Sequence, residues 1–306
     1  MSRKKVLQIV DDLSYVETNC YQQQLLSKLR AKCDLITLPY HELEQCIDVV
    51  KFDRIISTLK LRTIDRIRNE LQNVLKEKSI IVWDQDPFES CRNDGPHFGA
   101  HERIASTLNV ERFVVTTKKY AEHMNSKGLR TDFAWIWMLP EMCPEPRQYV
   151  QRSTKVAFMG SMHSWRRNLI DVLRKDGIDV VVGANVQTYR DYLQALQDVK
   201  IFVCSHDSKM MMDGIKQATR HGMYHKDVEI ASQGCFSISD RSDELTTYVD
   251  ADMRSIIQYD RPRDVYGIIY AIEAMDDLER QSIIDRTVTA IRERDRWNDT
   301  INVLLA

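Results

Sequence analysis

Two trains of short apolar runs, most of them followed by a helix-like stretch, stand on either side of a proline-rich break. That alternation restricts the fold of this chain more than any other feature. The first train holds KVLQIV (5–10), CDLITL (33–38), FDRIIST (52–58), SIIVWD (79–84), RFVVTT (112–117) and DFAWIW (132–137), all rich in residues that favour strands. A helical stretch is read at 17–31. Another, at 61–78, carries Ile64, Ile67, Leu71 and Leu75 on one helix face. A third, KYAEHMNSKG, is closed by Gly128. The strand runs are almost continuously apolar, as strands covered on both faces are, and strands that alternate with helices form parallel sheets.

LPEMCPEPRQYVQRS (139–153) has three prolines within seven residues, so it reads as a linker rather than an element. The alternation then restarts with KVAFMG (155–160), a helix over 164–175, IDVVVG (178–183), a helix YRDYLQAL (189–196) and KIFVCS (200–205). A polar, methionine-rich loop covers 206–222. A short helix and a strand follow within KDVEIASQGCFSISD (226–240), and beyond about 261 the chain reads as helical. The expected fold is therefore α/β with two Rossmann-like domains, at 1–142 and 153–285, and closing helices at 286–306. Ligands of open α/β sheets sit outside the carboxyl ends of the strands, so two such domains are expected to form an inter-domain cleft.

Composition narrows the functional classes. Of the 306 residues, 43% are hydrophobic and 29% charged, with a net charge of −2, so no whole-molecule field draws the chain to nucleic acid. No apolar run approaches the length of a transmembrane helix and no signal peptide is visible; the expectation is a cytoplasmic protein, with peripheral attachment to a membrane left open. The seven cysteines lack CxxC spacing and read as reduced, packed thiols.

Four segments could carry chemistry. In FMGSMHSWRRN a strand ends at Gly160, and a polar loop with Ser161 leads into a helix bearing Arg166 and Arg167. Glycine lets backbone approach a ligand, a helix start favours phosphate, and the two arginines supply charged donors; two solvated arginines beside a tight turn are the plain alternative. In KDVEIASQGCFSISD, Glu229 could receive both hydroxyls of a ribose. Lys226, three residues earlier, could hold phosphate or simply pair with Glu229 on a solvated face. VWDQDPFES places Asp84 and Asp86 one apart at a strand end, a bare pattern for metal–diphosphate binding or for a cleft carboxylate. His97 and His101, like His221 and His225, are four apart, but no HExxH motif accompanies them; no metal is expected, and His101 is a candidate donor or base.

Taken in order, these segments resemble GT-B glycosyltransferases of group 1, and within them the CgeB-like branch. The carrier is KDVEIASQGCFSISD, set against the family's R-x-F-E-x-x-A-C-G-x-F-x-x-x-D, supported by KVAFMGSMHSWRR and WDQDP. The resemblance implies a hexosyltransferase that moves sugar from a UDP- or GDP-type donor to an acceptor hydroxyl on a glycan, lipid or small molecule, with no cofactor or metal. It implies donor contacts from Gly160, Ser161, Arg166, Arg167, Lys226 and Glu229, and a base, if one is needed, among Asp84, Asp86, Asp12 and His101. It also implies terminal helices that cross back to the first domain, with Trp297 as their anchor. His221 stands where many retaining members carry a second glutamate, which leaves the donor sugar open; retention is the favoured outcome. A different nucleotide-sugar enzyme, epimerase-like, and a non-catalytic nucleotide-binding protein are the alternatives on the same fold.

Overall fold

A computed structural model of the chain describes residues 3–46, 48–92, 95–183, 188–205, 225–242, 245, 249 and 251–306. It divides into two units. The first comprises the described residues of Met1–Ile136 together with Arg296–Ala306; the second comprises those of Trp137–Ser208 and Thr219–Asp295.

The first unit is built on β1 (Lys5–Val10), β2 (Asp34–Pro39), β3 (Arg54–Ser57), β4 (Ile80–Asp84), β5 (Val110–Val115) and β6 (Thr131–Phe133). They form one sheet in the order β2-β1-β3-β4-β5-β6, and all its pairings are parallel. β4, inside the sheet, is buried at all five positions, its four apolar residues ending in a buried carboxylate, Asp84. The helix at Leu61–Leu75 buries Ile64, Ile67, Leu71 and Leu75, the stripe read from the sequence. The stretch at 17–31 is two helices, Leu13–Thr18 and Cys20–Lys32, and Asn19 caps the second with its side chain.

The second unit carries β7 (Thr154–Met159), β8 (Val180–Gly183), β9 (Val199–Val203), β10 (Phe236–Asp240) and β11 (Ile256–Tyr259) in the parallel order β11-β10-β9-β7-β8. Helices at Ser164–Lys175 and Tyr189–Leu196 fall where the sequence places them. Strand β11 has no counterpart in the sequence reading; it is a four-residue edge strand held by β10.

The linker 139–153 is tied down more firmly than its prolines suggest. Leu139, Cys143, Tyr149 and Arg152 are buried. Cys143 offers its carbonyl to Arg292 at 2.9 Å, and the nearby Trp137 indole donates to the carbonyl of Ile291 at 2.9 Å. Cys33, Cys91, Cys143, Cys204 and Cys235 are free and buried. No helix among the described residues is long and apolar enough to cross a membrane.

Candidate functional site

The carboxyl ends of β7 and β9 gather the strongest constellation. β7 ends at Met159, and Gly160 follows at φ 137°, a conformation side chains rarely adopt. A Cβ there would stand 3.0 Å from Lys226 Nζ and 3.9 Å from Arg166 Nη1, so the missing side chain is what lets two cations close in on the strand end. Lys226 Nζ donates to the Met159 carbonyl at 2.7 Å and lies 5.6 Å and 5.3 Å from the ring centres of Phe158 and Phe202. Arg166 stands 5.6 Å from the Phe158 ring centre; it donates through Nε to the Ser205 carbonyl at 3.1 Å and through Nη1 to the Ser161 carbonyl at 2.7 Å. Two buried phenylalanines, one from each strand, thus carry two cations from different helices. Gly160, Ser161, Arg166 and Lys226 come together. Arg167 is exposed on the first turn of Ser164–Lys175, and none of its contacts among the described residues joins the cluster.

Glu229 corrects the plain reading of its segment. It is 5% exposed and lies inside the helix His225–Ser232, which is buried almost throughout; among the described residues no ion pair joins it to Lys226. Its carboxylate instead sits 3.5 Å from His225 Nε2, one helical turn earlier. Burial would push its pKa up, but His225, the Tyr189 hydroxyl and the Lys226 charge outweigh this and hold it below the usual carboxylate range. Burial, together with the nearby Glu229 carboxylate, raises the Tyr192 phenol well above its ordinary value. His225, Tyr189 and Tyr192 were not singled out from sequence as partners of Glu229; the i, i+4 spacing of His225 to Glu229 was the available signal.

Gly234 follows that helix at φ 81°, which ends it and returns the chain into β10. The turn is held by Arg152, 2% exposed, whose guanidinium donates to the carbonyls of Val199 at 2.9 Å and Gln233 at 3.0 Å. Arg152 carried no motif and was not legible in advance.

In the first unit the carboxyl end of β4 is built around Asp84. Asp84 is 4% exposed; its Oδ2 is 2.8 Å from His101 Nε2, and its Oδ1 accepts the Asp86 N–H at 2.9 Å. His101 is 1% exposed, sits edge-on to Phe113, and its backbone N–H donates to the Ser90 hydroxyl oxygen at 3.1 Å. Asp84 and Asp86 line a cavity of about 230 Å³ with Thr58, Lys60, Arg62 and Trp83. The sequence reading of Asp84 and His101 as separate candidates becomes one carboxylate–imidazole pair. His97 precedes the helix Ala100–Thr107 and faces Asp65 at 4.0 Å, so it does not share a helix face with His101. His221 lies outside the described residues. Asp12 is exposed and accepts the Ser14 N–H at 2.7 Å; that bond and the Ser14 hydroxyl lower its pKa. Asp11, its neighbour, ties the end of β1 to the start of the helix Leu61–Leu75 by accepting the Lys60 N–H at 2.8 Å and the Thr63 hydroxyl at 2.6 Å. Among the described residues no group of three or more His, Cys, Asp and Glu side chains is placed to hold a metal ion.

Two Rossmann-like parallel-sheet units in this order define the GT-B fold. Solved structures agree along the whole chain. HepE of Anabaena, in complex with UDP and glucose, superposes with a TM-score of 0.60 at 10% identity, covering 98% of each chain. Sucrose-phosphate synthase of Thermosynechococcus elongatus gives 0.64 at 10%, covering 98% of this chain and 97% of its own. The UDP-forming α,α-trehalose-phosphate synthase of Burkholderia vietnamiensis gives 0.59 at 10%, covering 99% and 96%. No family model and no curated protein matches the chain.

Proposed function

We propose that this chain transfers a sugar from a nucleoside-diphosphate sugar to an acceptor hydroxyl, as a group-1 GT-B glycosyltransferase. The observation that carries the reading is the pair of cations, Arg166 and Lys226, converging on the bare backbone of Gly160 at the carboxyl ends of β7 and β9. Its fold neighbours support it: HepE is described with UDP and glucose bound, and the Burkholderia enzyme as UDP-forming.

In this reading the C-terminal domain, 153–285, takes the donor, the N-terminal domain, 1–142, takes the acceptor, and 286–306 serve as closing helices. As the bond from the anomeric carbon to the diphosphate oxygen breaks, its electron pair stays on the diphosphate. Arg166 and Lys226 are placed to meet that charge, which makes a divalent ion unnecessary. Lys226 keeps two N–H donors beyond the one given to Met159, so it can bind phosphate without leaving the strand. Glu229 receives the ribose hydroxyls. The acceptor oxygen forms the new bond and loses its proton. In a retaining transfer, the outcome the family resemblance favours, Asp84 orients that hydroxyl and its proton passes to the departing diphosphate oxygen; in an inverting one, Asp84 backed by His101 takes the proton.

Calorimetry with UDP and GDP, run with and without a chelator, tests the assignment. Wild type is expected to bind one of them in both conditions, and Glu229→Ala to lose about 1–3 kcal/mol, the scale of a lost hydrogen-bonded charge. Unchanged affinity in the variant would remove Glu229 from the donor site. Absence of any nucleotide response in wild type would remove the function.

A further inference from the structure

Helices that cover a sheet normally turn a polar face to solvent. The outward positions of Leu61–Leu75 are Arg62, Arg66, Asn69, Glu70, Gln72 and Asn73. The helix Asp264–Ala274 departs from this. Val265, Ile269 and Ile272 face its core, but the exposed positions are Tyr266, Gly267, Tyr270, Ala271 and Ala274, and the two charged residues of the helix, Asp264 and Glu273, are half-buried and paired with Arg261 and Lys155. Tyr266 is 43% exposed, Tyr270 68%, and Leu278, just past the helix, 84%. Two exposed tyrosines one helical turn apart make an apolar surface of the kind that marks interaction sites.

Charge brackets the patch. Arg263, at the start of the helix, is exposed and makes no ion pair among the described residues. With about 100° of rotation per residue, Arg263, Gly267, Tyr270 and Ala274 share one line along the helix. The other end runs into Asp276, Asp277 and Glu279, all exposed. That acidic end is fixed to the helix: Arg280 donates to the carbonyls of Ile272 at 3.2 Å and Glu273 at 2.9 Å and pairs with Asp277.

We propose that this face is the interface of a homodimer, with helix Asp264–Ala274 packed antiparallel against the same helix of a second copy. A two-fold interface must be complementary to itself. This one is: the tyrosines are knobs, and Gly267, Ala271 and Ala274 leave the hollows to receive them. Gly267 has no atom within 4 Å of where a Cβ would stand, so its side of the helix is open. Antiparallel packing sets the basic start of each helix against the acidic end of the other; a parallel pair would set like charges together. Tyrosine-rich, charge-poor centres with charged rims are what protein interfaces show. An anionic lipid surface does not suit a patch whose most exposed apolar residue, Leu278, lies between Asp277 and Glu279.

Sedimentation equilibrium of the full chain tests this, alongside flotation with phosphatidylserine vesicles. Wild type is expected to dimerise and not to float. Tyr270→Glu, at a solvent-facing position, is expected to raise the dimer dissociation constant at least about tenfold, the loss typical of a central aromatic contact. Arg263→Glu and Glu279→Arg are each expected to weaken the dimer, and the double exchange to restore it. Monomeric wild type, with or without flotation, overturns the proposal. So does a dimer indifferent to Tyr270→Glu, which would have to use another face.

Discussion

Gly234 shows how one residue can be fixed by its neighbours and its backbone together. Its φ of 81° suits glycine, and an added Cβ would fall 2.7 Å from Pro146 Cβ and nearer still to the Arg152 guanidinium. Gly234→Ala is expected to destabilise the chain by about 2–4 kcal/mol through strain and displacement of buried Arg152, read as a shift in the urea midpoint. A loss under about 0.5 kcal/mol would mean that the turn relaxes freely. Glu229 makes a pH-dependent prediction. Its folded pKa lies below its unfolded value, so its ionised form stabilises the fold above the ordinary glutamate value of about 4.3; this is lost as pH falls through that value and below. The stability gap between wild type and Glu229→Gln is expected to be widest near neutrality and to narrow in acid. A gap that stays constant with pH would show that folding leaves the pKa of this carboxylate unchanged, and one that grows in favour of Glu229→Gln as pH rises would show that it is held neutral in the folded chain.

Elements were legible where a period repeated long enough to be counted. The helix at Leu61–Leu75 and the strands β4 and β7 came from such patterns. β11 was missed because four residues, IIQY, carry no measurable period; β10 stabilises it as a strand by pairing. The helix His225–Ser232 is the reverse case. Its small and acidic residues suggested a partly solvated helix, yet Asp227 is fully buried, its carboxylate accepting the Ser237 hydroxyl at 2.8 Å, and Glu229 is buried beside His225. A sequence shows that charges are present on a helix. Whether they face water depends on what packs against them.

Across the whole molecule, the last eleven residues belong by contact to the unit formed by the first 136. Trp297 is fully buried, stacks on Trp83 with ring centres 6.0 Å apart, and donates to Gln24 at 3.2 Å; the Thr300 hydroxyl reaches the Trp135 carbonyl at 2.7 Å. Trp297→Ala is expected to cost about 3–5 kcal/mol, the loss of a large buried aromatic, measured by denaturant unfolding. A cost below about 1 kcal/mol would show that the terminal helix adds little to the unit it packs on.

The sequence by itself determined the α/β class, the two trains of strands, the glycine at the end of β7 and the segments that hold Asp84, Lys226 and Glu229. Those are local properties, written in periodicity and in residues whose backbone demands are special. Tertiary structure alone decided the strand orders, the pairing of Asp84 with His101, the bridging of two strand ends by Arg166, and the reach of Lys226 to the Met159 carbonyl. Most of those contacts join residues from 17 to 67 positions apart, as in Asp84–His101 and Lys226–Met159, and no local period encodes them. They arise when packing brings strand ends and helix starts together and leaves each buried charge to find its partner.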